Sequence, residues 1–146
     1  MPLQVKVLSR YSDHSIRWAL LDFQLQRGGT DYVVEYGTQI RSPALNPQNP
    51  VRIKEDGYQI RVDTGPLQMV IDTQHGTFFN EIWMDSRRVV SKDKPAGLTL
   101  VGVNGKEFRT LGPPEEIMVL ESGALRSVLL IKGHHRSDDG ESLFSY

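Results

Sequence analysis

With 146 residues, 38% hydrophobic and 24% charged, the chain has the makings of one globular domain or two small ones with a real core. Its net charge of −1 argues against a dedicated nucleic-acid surface, and the lack of cysteine excludes disulfides, a thiolate nucleophile and cysteine-ligated zinc. No run approaches the length of a membrane-spanning helix, and residues 1–15 lack the apolar core of a secretory signal, which favours the cytoplasm.

In chain order, Leu3, Val5 and Val7 alternate with Gln4 and Lys6 and predict a strand that starts almost at once. Asp13-His14-Ser15 predicts a turn, because Asp bonds its own backbone two residues on and His accepts a left-handed position better than a branched residue does. The apolar run Ile16 to Phe23 follows. Ile16, Ala19, Leu20 and Phe23 also share a helical face, so an amphipathic helix competes for this segment. The preceding turn and the following Gly28-Gly29 favour a strand, and its two apolar faces suit a central one with Trp18 in the core. Tyr32 to Gly37 has strong β composition.

Residues 42–50, rich in Pro and Asn, predict an extended connector. Strands resume at Val51 to Lys54 and Tyr58 to Val62, with Asp56-Gly57 as a hairpin signal between them. A domain boundary is expected near Ile60 to Gly65. Beyond it the patterns predict strands at Leu67 to Asp72, Phe78 to Asp85, Val89-Val90, Leu98 to Val103, Lys106 to Arg109, Ile117 to Leu120, Leu125 to Ile131 and Leu143 to Tyr146. Turns are expected at His75-Gly76, at Asn104-Gly105 as a type I′ hairpin, and at Asp138-Asp139-Gly140. The segment Val62 to Val70 is echoed by Leu120 to Val128, which suggests two similar turns that each use Gly65 or Gly123 for a positive backbone angle.

Three strings carry a family resemblance. Tyr11-Ser12-Asp13-His14-Ser15-Ile16-Arg17-Trp18, followed by Leu21-Asp22-Phe23, resembles the W-P-D-G-S-V-R-W turn and strand of the N-terminal RIFT barrel in YetA-like rhamnogalacturonan exo-lyases, a family of polysaccharide lyases. Tyr32 to Gly37 is similar to that family's Y-x-L-E-Y-G strand, and Val62 to Leu67 to its V-D-T-G-P-L entry into the next domain. The chain departs from the pattern at His14, where the family has Gly, and at Tyr11, where it has Trp. The resemblance implies an all-β chain: a small RIFT-type barrel over residues 1–60, lacking its first strand, then the beginning of an antiparallel β-sandwich over residues 61–146. It also implies that catalysis belongs to a later helical toroid domain, so that the partners are the C-terminal domains of the same parent protein. A sandwich ending at Tyr146 would leave apolar strand faces partly exposed around Leu125 to Ile131.

Several side chains are capable of chemistry, and each has a plainer reading. His14, His75, His134 and His135 have no partner at a catalytic spacing. His134-His135 with Asp138 and Asp139 is the densest metal-capable group, yet neighbours on a strand point to opposite faces, and a solvated turn accounts for the acidic pair. Asp138-Asp139-Gly140-Glu141 lacks the alternating oxygen ligands of a calcium loop. Arg87-Arg88 with Lys92 and Lys94 suits either the carboxylate of an acidic sugar or a solvated hairpin tip. Trp18, Trp83 and Tyr36 are candidate sugar-stacking platforms; Trp18 fits the core better, and Trp83 stays open.

Serine-nucleophile motifs, phosphate loops and dinucleotide glycine patterns are missing from the sequence. We therefore assign no catalytic, cofactor-binding or metal residue, and no cofactor. The expected function is a non-catalytic N-terminal region of a rhamnogalacturonan-type lyase, which degrades pectin by β-elimination, with the region buttressing or orienting the catalytic domain and meeting an acidic oligosaccharide. A stand-alone carbohydrate-binding module and a structural interaction domain are the alternatives. An exposed Trp83 beside Tyr or Arg would favour the binding module.

Overall fold

The structure is a computed structural model, and it describes residues 1–25, 28, 31–41, 46–75, 78–94, 96–110 and 112–146. Among these residues every regular element is a β-strand, as expected for an all-β chain, and the sheets are antiparallel with none closed into a barrel.

Strands β1 (Leu3–Arg10) and β2 (Ile16–Phe23) form a two-stranded hairpin. Its turn is built as the residues predict. Asp13 Oδ1 accepts bonds from the Ser15 backbone N–H at 2.9 Å and the Ser15 hydroxyl at 2.6 Å, and His14 sits at φ 65°. The Ser15 hydroxyl, then its N–H, hold the Asp13 carboxyl below the usual range. The β2 strand settles the competition with a helix, but it is not a central strand. Among the described residues it pairs with β1 alone, and Trp18 is 63% exposed instead of in the core. Tyr32 to Gly37 forms no strand either, and Tyr36 is exposed. The expected connector at 42–50 lies partly outside the described residues, as do Gly29 and Gly76.

The core belongs to a five-stranded sheet of β3 (Arg52–Asp56), β4 (Gln59–Asp63), β5 (Leu67–Asp72), β6 (Glu81–Met84) and β7 (Arg87–Val90), in that order. Alternation places Ile60, Val62 and Ile71 on one face, where they are buried. Burying each contributes roughly 2 kcal/mol. Ile117, Leu129 and Ile131 pack on this cluster from the hairpin of β10 (Glu116–Ser122) and β11 (Ser127–Lys132), which gives a sandwich-like pair of layers. Leu125 to Ile131 is half-buried throughout. The expected boundary at residues 60–65 falls at the β4–β5 turn, within this one continuous sheet. Strands β3 and β4 therefore extend the sheet of β5–β7 and do not close a barrel with β1 and β2.

A fourth sheet, ordered β13-β12-β9-β8, comprises β8 (Thr99–Val101), β9 (Glu107–Thr110), β12 (His134–Arg136) and β13 (Ser142–Ser145). The turn expected at Asn104-Gly105 is present but is not type I′. Gly105 alone has a positive φ, and its N–H bonds the Gly102 carbonyl inside a longer loop. Two residues without glycine make the I′ turn instead: Asp85 at φ 46° and Ser86 at φ 68° join β6 to β7.

The echoed turns also differ. Gly65 has φ 86°, whereas Gly123 has no positive φ. Gly123 provides clearance, because a Cβ there would lie 2.0 Å from Nε2 of Gln4. That amide belongs to the latch that holds the β1–β2 hairpin on β10–β11. Its Nε2 donates to Glu121 at 2.9 Å and to the Arg126 carbonyl at 3.0 Å, and its oxygen accepts from the N–H groups of Leu125 and Arg126. Lys6 pairs with Glu121 at 2.8 Å, and Arg126 pairs with both Glu121 and Asp22. The Lys6 bond leads the causes that lower the Glu121 carboxyl, and the bond to Asp22 leads those that raise Arg126.

Candidate functional site

The face of the five-stranded sheet turned away from the core is polar, and Trp83 stands within it. Register alone builds this face. Arg52 pairs with Asp63, Asp63 with Gln68, Gln68 with Trp83, and Trp83 with Arg88, so five strands each deliver one side chain to a single cross-strand row. In the adjoining row Lys54 pairs with Arg61, Arg61 with Val70, and Val70 with Glu81.

Trp83 is half-buried, with the Arg88 guanidinium carbon 5.4 Å from its ring centroid and Arg88 3.8 Å from Glu81. Clefts open on both sides of the indole. One, of about 330 Å³, is lined by Arg52, Lys54, Arg61 and Glu81 as well as Trp83. The other, of about 620 Å³, is lined by Asn49, Gln68, Asp85 and Ser86 and shares the same ring. Two left-handed backbone turns shape this second cleft. Gly65 takes the left-handed turn capped by Asp63, and its missing Cβ leaves the room, 2.8 Å from that position, which the Asn49 side chain fills. The I′ turn at Asp85-Ser86 holds backbone strain where it borders the cleft. Trp83 thus stands between a cleft in which Arg52, Lys54 and Arg61 outnumber Asp63 and Glu81, and one that bears the Asn49 and Gln68 amides, the Ser86 hydroxyl and the Asp85 carboxylate; an aromatic face beside arginine forks and hydrogen-bonding groups is suited to a polyhydroxylated ligand carrying a carboxylate.

The sequence candidates are placed unevenly. Of the basic cluster, only Arg88 meets Trp83, since its neighbour Arg87 pairs with Met84 on the opposite parity of β7, and Lys92 and Lys94 are exposed on the loop beyond. Trp18 and Tyr36 lie elsewhere, on the β1–β2 hairpin and in the segment after it. His14 is at the hairpin tip. His75 contacts Asp72 at 3.0 Å; burial pushes the Asp72 carboxyl up, but bonds from the Gln74 N–H and from His75 outweigh it, leaving it lowered. The two adjacent histidines part as alternation requires. His134 bonds Glu115 at 2.7 Å, while His135 is buried edge-on against Tyr146 with neither ring nitrogen hydrogen-bonded.

The acidic turn is neutralised within the chain. Lys106 reaches Asp139 at 2.8 Å and Glu141 at 2.6 Å, and the Ser137 hydroxyl also bonds Asp139. The Lys106 bond, then that of Ser137, push the Asp139 carboxyl down to about 2. Among the described residues no three metal-capable side chains stand together.

Sequence reading missed Asn49, Arg52, Lys54, Arg61, Gln68, Asp85 and Ser86 as site residues. Alternation in Val51 to Lys54 and in Tyr58 to Val62 does mark Arg52, Lys54 and Arg61 as turned to water, but only the strand register brings them beside Trp83.

No family model, curated protein or solved structure matches the chain. No helix among the described residues is long and apolar enough to cross a membrane.

Proposed function

We propose that the chain is a non-catalytic β-rich region of a rhamnogalacturonan-type polysaccharide lyase, and that it holds an acidic oligosaccharide on the polar face of the five-stranded sheet. The observation that carries the binding reading is the cross-strand row in which Trp83 lies under Arg88 and beside the Arg52–Arg61 cleft. The indole supplies a flat apolar surface for a pyranose ring. Arginine forks, whose planar geometry matches a carboxylate, supply the charge that separates an acidic sugar from a neutral one. The lyase assignment itself rests on the resemblance of the three strings around Trp18, Tyr36 and Gly65, and in that setting the region would present a bound chain to a catalytic domain elsewhere in the parent.

Calorimetric titration of the whole chain with tri- to hexa-galacturonates and with matched neutral oligosaccharides tests this. Binding of the acidic set, weakened at least tenfold by Trp83→Ala and by Arg61→Gln and reduced by salt, is the expected result. Equal affinity for neutral and acidic chains, or binding that both variants leave intact, would overturn it.

A further inference from the structure

We propose that the cleft between the β1–β2 hairpin, a projecting arm, and the turn joining β10 to β11 is a second saccharide subsite. It takes further units of a chain already seated on Trp83, so that binding depends on chain length. This inference rests on the saccharide reading of the Trp83 face and extends it to a different sheet.

The cleft has a volume of about 330 Å³. Asp22, Phe23 and Gln24 line it from the arm, and Leu125 lines it from the β10–β11 turn. Asn49 lines it as well, and the same Asn49 is a wall of the 620 Å³ cleft beside Trp83. Two clefts that share a side chain are neighbours on the surface, so a chain leaving the indole past Asn49 arrives at the arm.

Hydrogen bonds tie these walls to one another. Val51, just after Asn49 in the chain, donates its N–H to the Ala124 carbonyl at 2.8 Å. The Leu125 N–H donates to Oε1 of Gln4 at 2.9 Å, and Arg126 donates to Asp22 at 3.0 Å, which fixes the arm against the same turn. The room above Gly65 seats the Asn49 side chain between the two clefts. Walls that are already in place lower the ordering cost of binding.

Side-chain chemistry selects the occupant. Phe23 is 45% exposed and offers an apolar surface of the kind a pyranose ring covers. Gln24 and Asn49 carry amides that both donate and accept, as a run of sugar hydroxyls requires. No arginine or lysine is among the described residues lining the cleft, and the Asp22 carboxylate is already met by Arg126. The cleft therefore recognises hydroxyls, while selection of an acidic chain stays with the arginines around Trp83. Once the first units are held there, engagement of the arm is intramolecular, and even a weak second contact raises the affinity of a chain long enough to make it.

Calorimetric titration of the whole chain with trigalacturonate and with hexagalacturonate is the test. The hexamer is expected to bind roughly tenfold or more tightly than the trimer, beyond the statistical gain of a longer chain on a single site. Phe23→Ala and Gln24→Ala each remove most of that advantage and leave trimer affinity and the far-ultraviolet circular dichroism spectrum unchanged, whereas Trp83→Ala weakens both ligands. Should Phe23→Ala fail to fold, Gln24→Ala carries the test, since Gln24 lies beyond the end of β2. Equal affinity for the two lengths, or a length advantage that survives the variants, overturns the subsite and leaves the Trp83 reading standing. A wild-type chain that binds neither ligand overturns the Trp83 reading and the subsite with it.

Discussion

Gly123→Ala probes how the arm is held. The backbone at this position is not left-handed, so conformational freedom alone would let alanine stabilise the chain by roughly 0.4–1 kcal/mol through the unfolded state. The structure requires the opposite result. The new methyl would stand 2.0 Å from Nε2 of Gln4 and 2.3 Å from its Cδ and Oε1, so the amide must leave. Four hydrogen bonds go with it, two of which cover the N–H groups of Leu125 and Arg126. At about 1 kcal/mol each, reduced because water reaches these part-buried groups, the net loss is roughly 2–3 kcal/mol. Dividing by an unfolding entropy of about 0.3 kcal/mol/K gives a fall in Tm of roughly 7–10 °C.

Urea unfolding of wild type, Gln4→Ala, Gly123→Ala and the double variant isolates the cause. In the Gln4→Ala background the clash has no partner, so Gly123→Ala costs under about 0.5 kcal/mol there and the cycle shows a coupling of at least about 1.5 kcal/mol. Losses that simply add, or a Gly123→Ala single variant as stable as wild type, would refute the clearance argument.

Two further outcomes follow from the geometry. Asp139 has its carboxyl depressed in the folded state to about 2, below the ordinary aspartate range, so its contribution to stability is complete above the unfolded value and lost as pH falls through about 2. Acid titration of stability should therefore flatten between pH 4 and 2 in Lys106→Met, which removes the first cause of the shift; an unchanged acid slope would contradict the assignment. At the β6–β7 turn, Ser86→Gly relieves a left-handed non-glycine position and should raise stability by about 1 kcal/mol in urea unfolding. A loss there would mean that the Ser86 side chain does more for the turn than its strain costs.

What the sequence made legible followed from local chemistry. Asp13-His14-Ser15 announced its turn because both the side-chain bond and the left-handed His are short-range properties, and the alternation of Tyr58, Ile60 and Val62 marked the buried face of β4. Trp18 was misread for a long-range reason. Apolar residues on both parities of β2 look like a central strand, but the number of neighbours a strand acquires is decided elsewhere in the chain, and among the described residues it has β1 alone. The Asp85-Ser86 turn escaped notice because it lacks the glycine that usually announces type I′, while Asn104-Gly105 carries that signature inside a longer loop. Gly123 looked like a twin of Gly65, yet its reason is a side chain 119 positions away in sequence. The candidate site was half visible. Trp83 and Arg88 stood out by residue type, whereas Arg52, Arg61 and Gln68 join them only through register across five strands.

The most direct measurement is a titration of the isotopically labelled chain with trigalacturonate, followed by nuclear magnetic resonance at the indole N–H of Trp83 and at backbone amides. Saturable shifts are expected at Trp83, Gln68, Arg61 and Arg88, with the amides of the β1–β2 hairpin and the Asp138-Asp139 turn unmoved. Shifts that cluster at the hairpin or at the acidic turn, or an indole signal indifferent to ligand at millimolar concentration, would contradict the assignment of the saccharide to the Trp83 face.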